Sequence, residues 1–175
     1  MTDEAQSPTP ESPTTTHFYY SIAEFNILLE SGMRTEIIEQ REIFPIPHAP
    51  EWCLGMISLR GKLIPVINTH RILGCSVETD SHWLLIVESE PLPPAAIRID
   101  RLPAQYQLQA EQLQVNHTDA NAFWLPHLIT DSEMTVYQAN HGELFQLLTL
   151  QNQPKYSASL QEPSIMSADS PGNDV

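Results

Sequence analysis

Short apolar runs separated by turn residues dominate the chain, a texture that predicts β structure. Phe25-Asn26-Ile27-Leu28-Leu29 reads as a strand closed by the Ser31-Gly32 turn, and Arg34 to Glu39 as the next strand. Ile43-Phe44-Pro45-Ile46-Pro47 and Pro50 follow. A residue before proline avoids the helical region, so this linker is expected to be extended and stiff. Leu54 to Leu59 and Leu63 to Thr69 form a hairpin around Arg60-Gly61-Lys62, with Gly61 supplying a left-handed residue. Pro65 lies inside the second arm and cannot donate a ladder hydrogen bond. That arm is therefore expected at a sheet edge or at a bulge, leaving a gap where another polypeptide could dock.

Further on, His70 to Gly74 suits a helical turn closed by Gly74, His82 to Glu88 a buried strand, and Ala95 to Ile99 a strand ending at Asp100. Gln105 to Leu108 and Gln112 to Val115 alternate, Thr118 to Ala122 reads as a loop, and Phe123 to Ile129 is apolar but broken by Pro126. Met134 to Ala139 and Glu143 to Leu150 flank Asn140-His141-Gly142, which favours a hairpin. Periodicity also allows the second arm to be a helix, with Leu144, Leu147 and Leu148 on one face; the turn favours a strand. Some ten such segments suit two small filled β-barrels better than one wide barrel, whose interior these side chains would fill poorly. The expected class is all-β.

Composition divides the chain. Residues 1–17 carry Pro8, Pro10, Pro13 and a threonine run, and residues 151–175 are rich in Gln, Ser, Pro and Asp. Such segments bury too little surface to offset the entropy of ordering them, so both acidic ends are expected to be disordered tails around a folded unit at 18–150. Among the 175 residues, 8 Lys and Arg face 22 Asp and Glu, a net charge of −14. A surface of that sign repels phosphate backbones and anionic lipid, which argues against nucleic acid and membrane insertion and favours basic protein patches. No run approaches the roughly 20 apolar residues of a membrane span. Residues 1–17 lack a charged start and an apolar stretch, so Cys53 and Cys75 are expected as reduced thiols in a cytoplasmic protein.

The sequence carries little chemistry for a reaction. The seven histidines stand singly, with no H-E-x-x-H pattern. Ser58 has no G-x-S-x-G context, His48 and Cys53 have no activating neighbour in sequence, and phosphate-cradling glycine loops are absent. The expectation is an interaction module that is not an enzyme and uses no cofactor or metal.

Several of these elements together resemble the CheW-like family of chemotaxis coupling proteins. They are Glu36-Ile37, the linker Pro45 to Pro50, Gly55, Ser58-Leu59-Arg60-Gly61, Pro65-Val66 and Leu73-Gly74, followed by Ala96-Ile97-Arg98-Ile99-Asp100-Arg101-Leu102 and Leu144 to Leu150 as a last aliphatic strand. Ser58, Asn68-Thr69, Ala96, Arg34 and Thr149 depart from the usual pattern, and with Trp52 after Pro50 the chain looks more like the PilI-type members that serve twitching motility. The resemblance implies two five-stranded, SH3-like barrels. It also implies a scaffold between a CheA-type histidine kinase and the cytoplasmic tip of a methyl-accepting chemoreceptor, recruited to receptor arrays at the membrane. The kinase's regulatory domain shares the fold and can pair with it by barrel ends. On this reading Arg60 contacts the receptor or satisfies its own turn, and Glu36 is receptor-facing or an ordinary strand charge. Gly55 and Gly61 act through the backbone first. Ile37, Ile57 and Leu59 line a groove or fill the core, and Trp52 anchors an interface or caps a core edge. The alternative is a stand-alone small-molecule or peptide module using the cleft between lobes.

Overall fold

The computed structural model describes residues 14–75, 82–88, 90–91, 93–109, 113–116, 120–131 and 134–151. Residues 1–13 and 152–175, most of the two segments expected as tails, lie outside them, as do 118–119 of the expected loop.

The strands are β1 (Thr14–Ile22), β2 (Phe25–Leu28), β3 (Arg34–Glu39), β4 (Cys53–Leu59), β5 (Lys62–Ile67), β6 (Trp83–Glu88), β7 (Ala95–Ile99), β8 (Arg101–Gln109), β9 (Gln114–Val115), β10 (His127–Thr130) and β11 (Thr135–Gln138). Two helices, α1 (Thr69–Leu73) and α2 (His141–Gln151), complete the described elements. The strands form two sheets, one of five in the order β3-β6-β7-β5-β4 and one of six in the order β8-β1-β2-β11-β10-β9. The two-lobed β fold expected from the sequence is present, with the two-residue β9 as the additional strand of the larger sheet.

Three expectations are corrected. β1 begins at Thr14, inside the segment assigned to the tail, and Thr14 to His17 pair with Gln109 to Tyr106 of β8. β-Branched threonines suit a pleated strand, and the long partner β8 offers them a ladder. The last segment is the helix α2, not a strand. Asn140 is its N-cap: its side-chain oxygen accepts the Glu143 N–H at 3.1 Å, and its carbonyl accepts the Leu144 N–H. Leu144, Phe145 and Leu148 then share one buried face, the period-3.6 alternative visible in the sequence.

The third correction concerns Pro65. β5 is an interior strand, between β7 and β4. Leu59 pairs with Lys62 and Met56 with Pro65. Counting from the two-residue hairpin, Pro65 falls in a pair that exchanges no hydrogen bonds with β4. Its missing N–H therefore lies on the β7 side, where the parallel ladder starts only at Val66 opposite Ala96. The gap exists, but between two strands and not at an edge. The irregularity in this hairpin is on β4, between Cys53 and Gly55.

Each lobe has a small interior. Ile57, Leu59, Ile64, Val66, Leu84, Ile86 and Ala96 fill the five-stranded one, and Leu28, Leu108, Ile129 and Val136 the six-stranded one. The largest core lies elsewhere. Tyr20, Ile22 and Ile27 of the larger sheet pack with Ile67, Leu85, Val87, Ile97 and Ile99 of the smaller, with Trp124, Leu125 and the buried face of α2. The crossover between sheets at β7–β8 is a single residue, Asp100. Its carboxylate accepts the Ala23 N–H at 2.6 Å and pairs with the buried His70 at 3.0 Å. Sheet alternation explains the division: on β6, Leu84 and Ile86 face the barrel interior while Leu85 and Val87 face the shared core.

Candidate functional site

The turn joining β4 to β5 is Arg60-Gly61, with φ of +51° and +76°. Two left-handed residues match the twist of the flanking strands, so a two-residue turn suffices where the sequence suggested three. Gly61 takes this conformation freely, and no atom lies near where its Cβ would be. Arg60 takes it at a steric cost. The turn projects its guanidinium onto Glu36 in a two-point contact, Nη1 to Oε2 at 2.9 Å and Nη2 to Oε1 at 2.6 Å. This fork is the strongest geometry open to an arginine–carboxylate pair.

β3 and β4 are the two outer strands of the five-stranded order. A bond between Glu36 on β3 and the turn after β4 therefore requires that sheet to roll up. Glu36 sits opposite Ile86 and alternates with Ile38, both on the face turned to the barrel interior. The Arg60 pair thus closes the barrel at its mouth. It does so in view of solvent, with the two side chains 73% and 37% exposed. Arg34 lies opposite Glu88 on the same face and pairs with it at 3.5 Å, so charges of alternating sign ring the mouth. A pocket of about 110 Å³ is lined by Arg34, Thr35, Glu36, Arg60, Ile86 and Glu88. An open cleft of about 420 Å³ adjoins it where the chain passes between sheets, lined by Glu30 to Arg34, Glu88 and Glu90.

Glu36, Arg60 and Gly61 come together at this mouth. Ile37 is on the opposite face of β3 and 41% exposed. Ile57 and Leu59 are buried in the barrel interior. Gly55 has φ +138°, and a Cβ there would stand 2.3 Å from the Phe44 carbonyl oxygen. The proline-bearing linker lies against β4 at that point, Phe44 and Met56 exchanging both backbone hydrogen bonds. Trp52 is half-buried against the shared core, and its indole N–H is buried without a partner among the described residues. With Pro65, Ile67, Ala95, Phe145 and Leu148 it borders a separate apolar notch of about 70 Å³ beside the gap that Pro65 opens.

Sequence reasoning missed a second constellation. His141, fully buried at the start of α2, has Nδ1 2.9 Å from Glu30 Oε1, and its backbone N–H reaches the same oxygen at 2.5 Å. Its Nε2 is 2.9 Å from the Tyr20 hydroxyl. These bonds to His141 hold the Glu30 carboxyl below the usual carboxylate range, while burial pushes the Tyr20 hydroxyl far up. The partners are more than 100 positions apart in the chain, and only the Asn140…Glu143 spacing, a helix-start signal, hinted at what His141 begins. Among the described residues, no group of three or more His, Cys, Asp or Glu is placed to hold a metal ion, and Cys53 and Cys75 are free thiols.

A rolled five-stranded sheet with a charged mouth, sharing its core with a second β lobe, defines a two-lobed β-barrel module. Residues 33–146 match the CheW-like domain, and the chain belongs to that family. It is 30% identical to the chemotaxis protein CheW of Thermotoga maritima over 81 residues, 46% of this chain and 54% of that protein. It is 31% identical to the chemotaxis protein CheW of Treponema pallidum over 87 residues, 45% of this chain and 49% of that protein. Each alignment spans about half the length of the curated relative. The fold is similar to the crystal structure of scaffolding protein TtCheW from Thermoanaerobacter tengcongensis, with a TM-score of 0.63, 22% identity, and coverage of 77% of this chain and 90% of that one.

Proposed function

We propose that the chain is a non-catalytic adaptor that couples a methyl-accepting chemoreceptor to a CheA-type histidine kinase, in chemotaxis or in pilus-driven twitching motility. The observation that carries this reading is the Glu36–Arg60 fork. It is a two-point, solvent-facing charge pair, built on a strained turn at the open end of a barrel. A pair this exposed adds little to stability. Its geometry suits recognition, because both groups are held in place and each keeps a face for a partner. Membership of the CheW-like family and the two matched chemotaxis proteins support the same reading.

In this role the protein acts by placement. Holding receptor and kinase together raises their effective concentration. To pass a signal it must also favour one kinase arrangement over another through differential contacts. No helix among the described residues is long and apolar enough to cross a membrane, so recruitment to an array would come through the receptor. The test is retention on an immobilised kinase regulatory domain, followed by receptor-dependent kinase control in a reconstituted array. Arg60→Ala and Glu36→Ala should each weaken receptor coupling while the fold persists. Full receptor control by both folded variants would refute the assignment of this site, and failure of the wild type to bind the kinase domain would refute the adaptor role.

A further inference from the structure

We propose that Glu30 is a solvent-reachable latch that holds α2 onto the β body through His141, so that neutralising this one carboxylate frees the helix while both sheets stay folded. The geometry supplies the parts. Glu30 follows β2 and lines the open cleft between the sheets. Its Oε1 accepts two bonds from the first residue of α2, one from the backbone and one from the ring. A carboxylate only accepts, so the Nδ1 proton belongs to this bond, and Nε2 bonds the Tyr20 hydroxyl, which can donate or accept. The chain of contacts thus runs from the cleft, through a fully buried imidazole, to a fully buried hydroxyl on β1. The ring also lies edge-on to Trp124 and near Phe145. Displacing it would unpack the end of α2 from the shared core.

The rest of the surroundings set the direction of the response. Among the described residues lining the clefts beside Glu30, the other charged or titratable groups are His17 on β1, Arg34 on β3, Glu88 at the end of β6, and Glu90. Protonating the His141 ring keeps both bonds, because Tyr20 can turn from donor to acceptor. Protonating Glu30 does not: the neutral acid loses the charge-assisted bonds at the helix start. The latch therefore opens at the carboxylate and not at the imidazole. The Glu30 carboxyl titrates below its ordinary range when folded. Its stabilisation is accordingly complete above the ordinary carboxylate range and is lost as pH falls through the lowered value.

Hydrogen exchange on the full chain tests this, with rates corrected for the intrinsic pH dependence. Glu30→Gln should speed exchange of the α2 amides about ten- to a hundredfold, the loss expected for bonds to a charged group, while β6 and β7 keep wild-type protection. In the wild type, acid should release α2 at higher pH than β6 and β7, and Glu30→Gln should abolish that separate step. Tyr20→Phe keeps the carboxylate bonds, so it should retain the acid step with a smaller rise in exchange. Parallel loss of protection in α2 and the sheets of Glu30→Gln, including global unfolding, overturns the proposal. So does an acid profile that Glu30→Gln leaves unchanged.

Discussion

Replacing Gly55 by alanine separates two roles for that residue, a partner contact and a backbone device. The new Cβ would stand 2.3 Å from the Phe44 carbonyl oxygen and 2.9 Å from Ile43 Cγ2. Neither neighbour moves freely, since Phe44 is tied to Met56 by two backbone bonds of 2.8 and 2.9 Å. An alanine held at φ +138° costs about 1–3 kcal/mol. Relieving the clash would break the two Phe44–Met56 bonds, at about 1 kcal/mol each. The sum, about 3–5 kcal/mol, is a large part of the roughly 5–15 kcal/mol that keeps a domain folded. With a urea slope of about 2 kcal/mol per molar, the unfolding midpoint should fall by about 2 M. Equilibrium urea unfolding followed by tryptophan fluorescence measures this directly. A Gly55→Ala midpoint equivalent to less than about 0.5 kcal/mol of change, the range of ordinary surface substitutions, would refute the close-approach argument. If partner binding fell at the same time, Gly55 would belong to the interface instead.

Three further outcomes are expected. Arg60→Gly should be more stable than Arg60→Ala by about 1 kcal/mol in urea unfolding, because only glycine escapes the cost of the left-handed turn; equal stabilities would contradict the strain assigned to φ +51°. Leu148→Ala should cost about 2–5 kcal/mol in the same assay, as for a buried leucine that leaves a cavity, and a change below about 1 kcal/mol would place α2 outside the core. Burial, followed by the hydrogen bond to Asp131, pushes the Tyr106 hydroxyl up to about 12. Its contribution to stability is therefore intact below its ordinary value and lost as pH rises through the folded one. Ultraviolet titration of Asp131→Asn against wild type should show one phenol ionising earlier in the variant, and coincident curves would remove Asp131 as a cause.

The parts of the fold legible in the sequence were those specified locally. The Arg60-Gly61 turn, the α1 turn closed by Gly74 and the apolar β6 each announce themselves within a few residues, whereas the linker ahead of β4, expected to be extended, turns at Pro47-His48 with His48 at φ +60°. Glu36 and Arg60 were both legible as candidates, but their bond was not, because it depends on the sheet rolling until its first and last strands meet. Pro65 misled because edge position is the usual answer to a missing donor, whereas here the register points it at a stretch where the β7 ladder has not begun. The α2 helix was obscured by Asn140-His141-Gly142, a sequence equally suited to a turn and to a helix start. What decided it was tertiary: a buried face for Leu144, Phe145 and Leu148, and Glu30 waiting for His141. Ile57 and Leu59 could not be divided between groove and interior without knowing which face of β4 looks inward.

The core shared by both sheets has a mechanical consequence. Side chains from β1 and β2 are interleaved with those of β5, β6 and β7, and a single residue joins β7 to β8. Close-packed interiors transmit displacement with little give. A load applied at the charged mouth would therefore tilt the far lobe as well, as with a solid lever and not a pair of beads on a string. Neither half, made alone, would keep its shape.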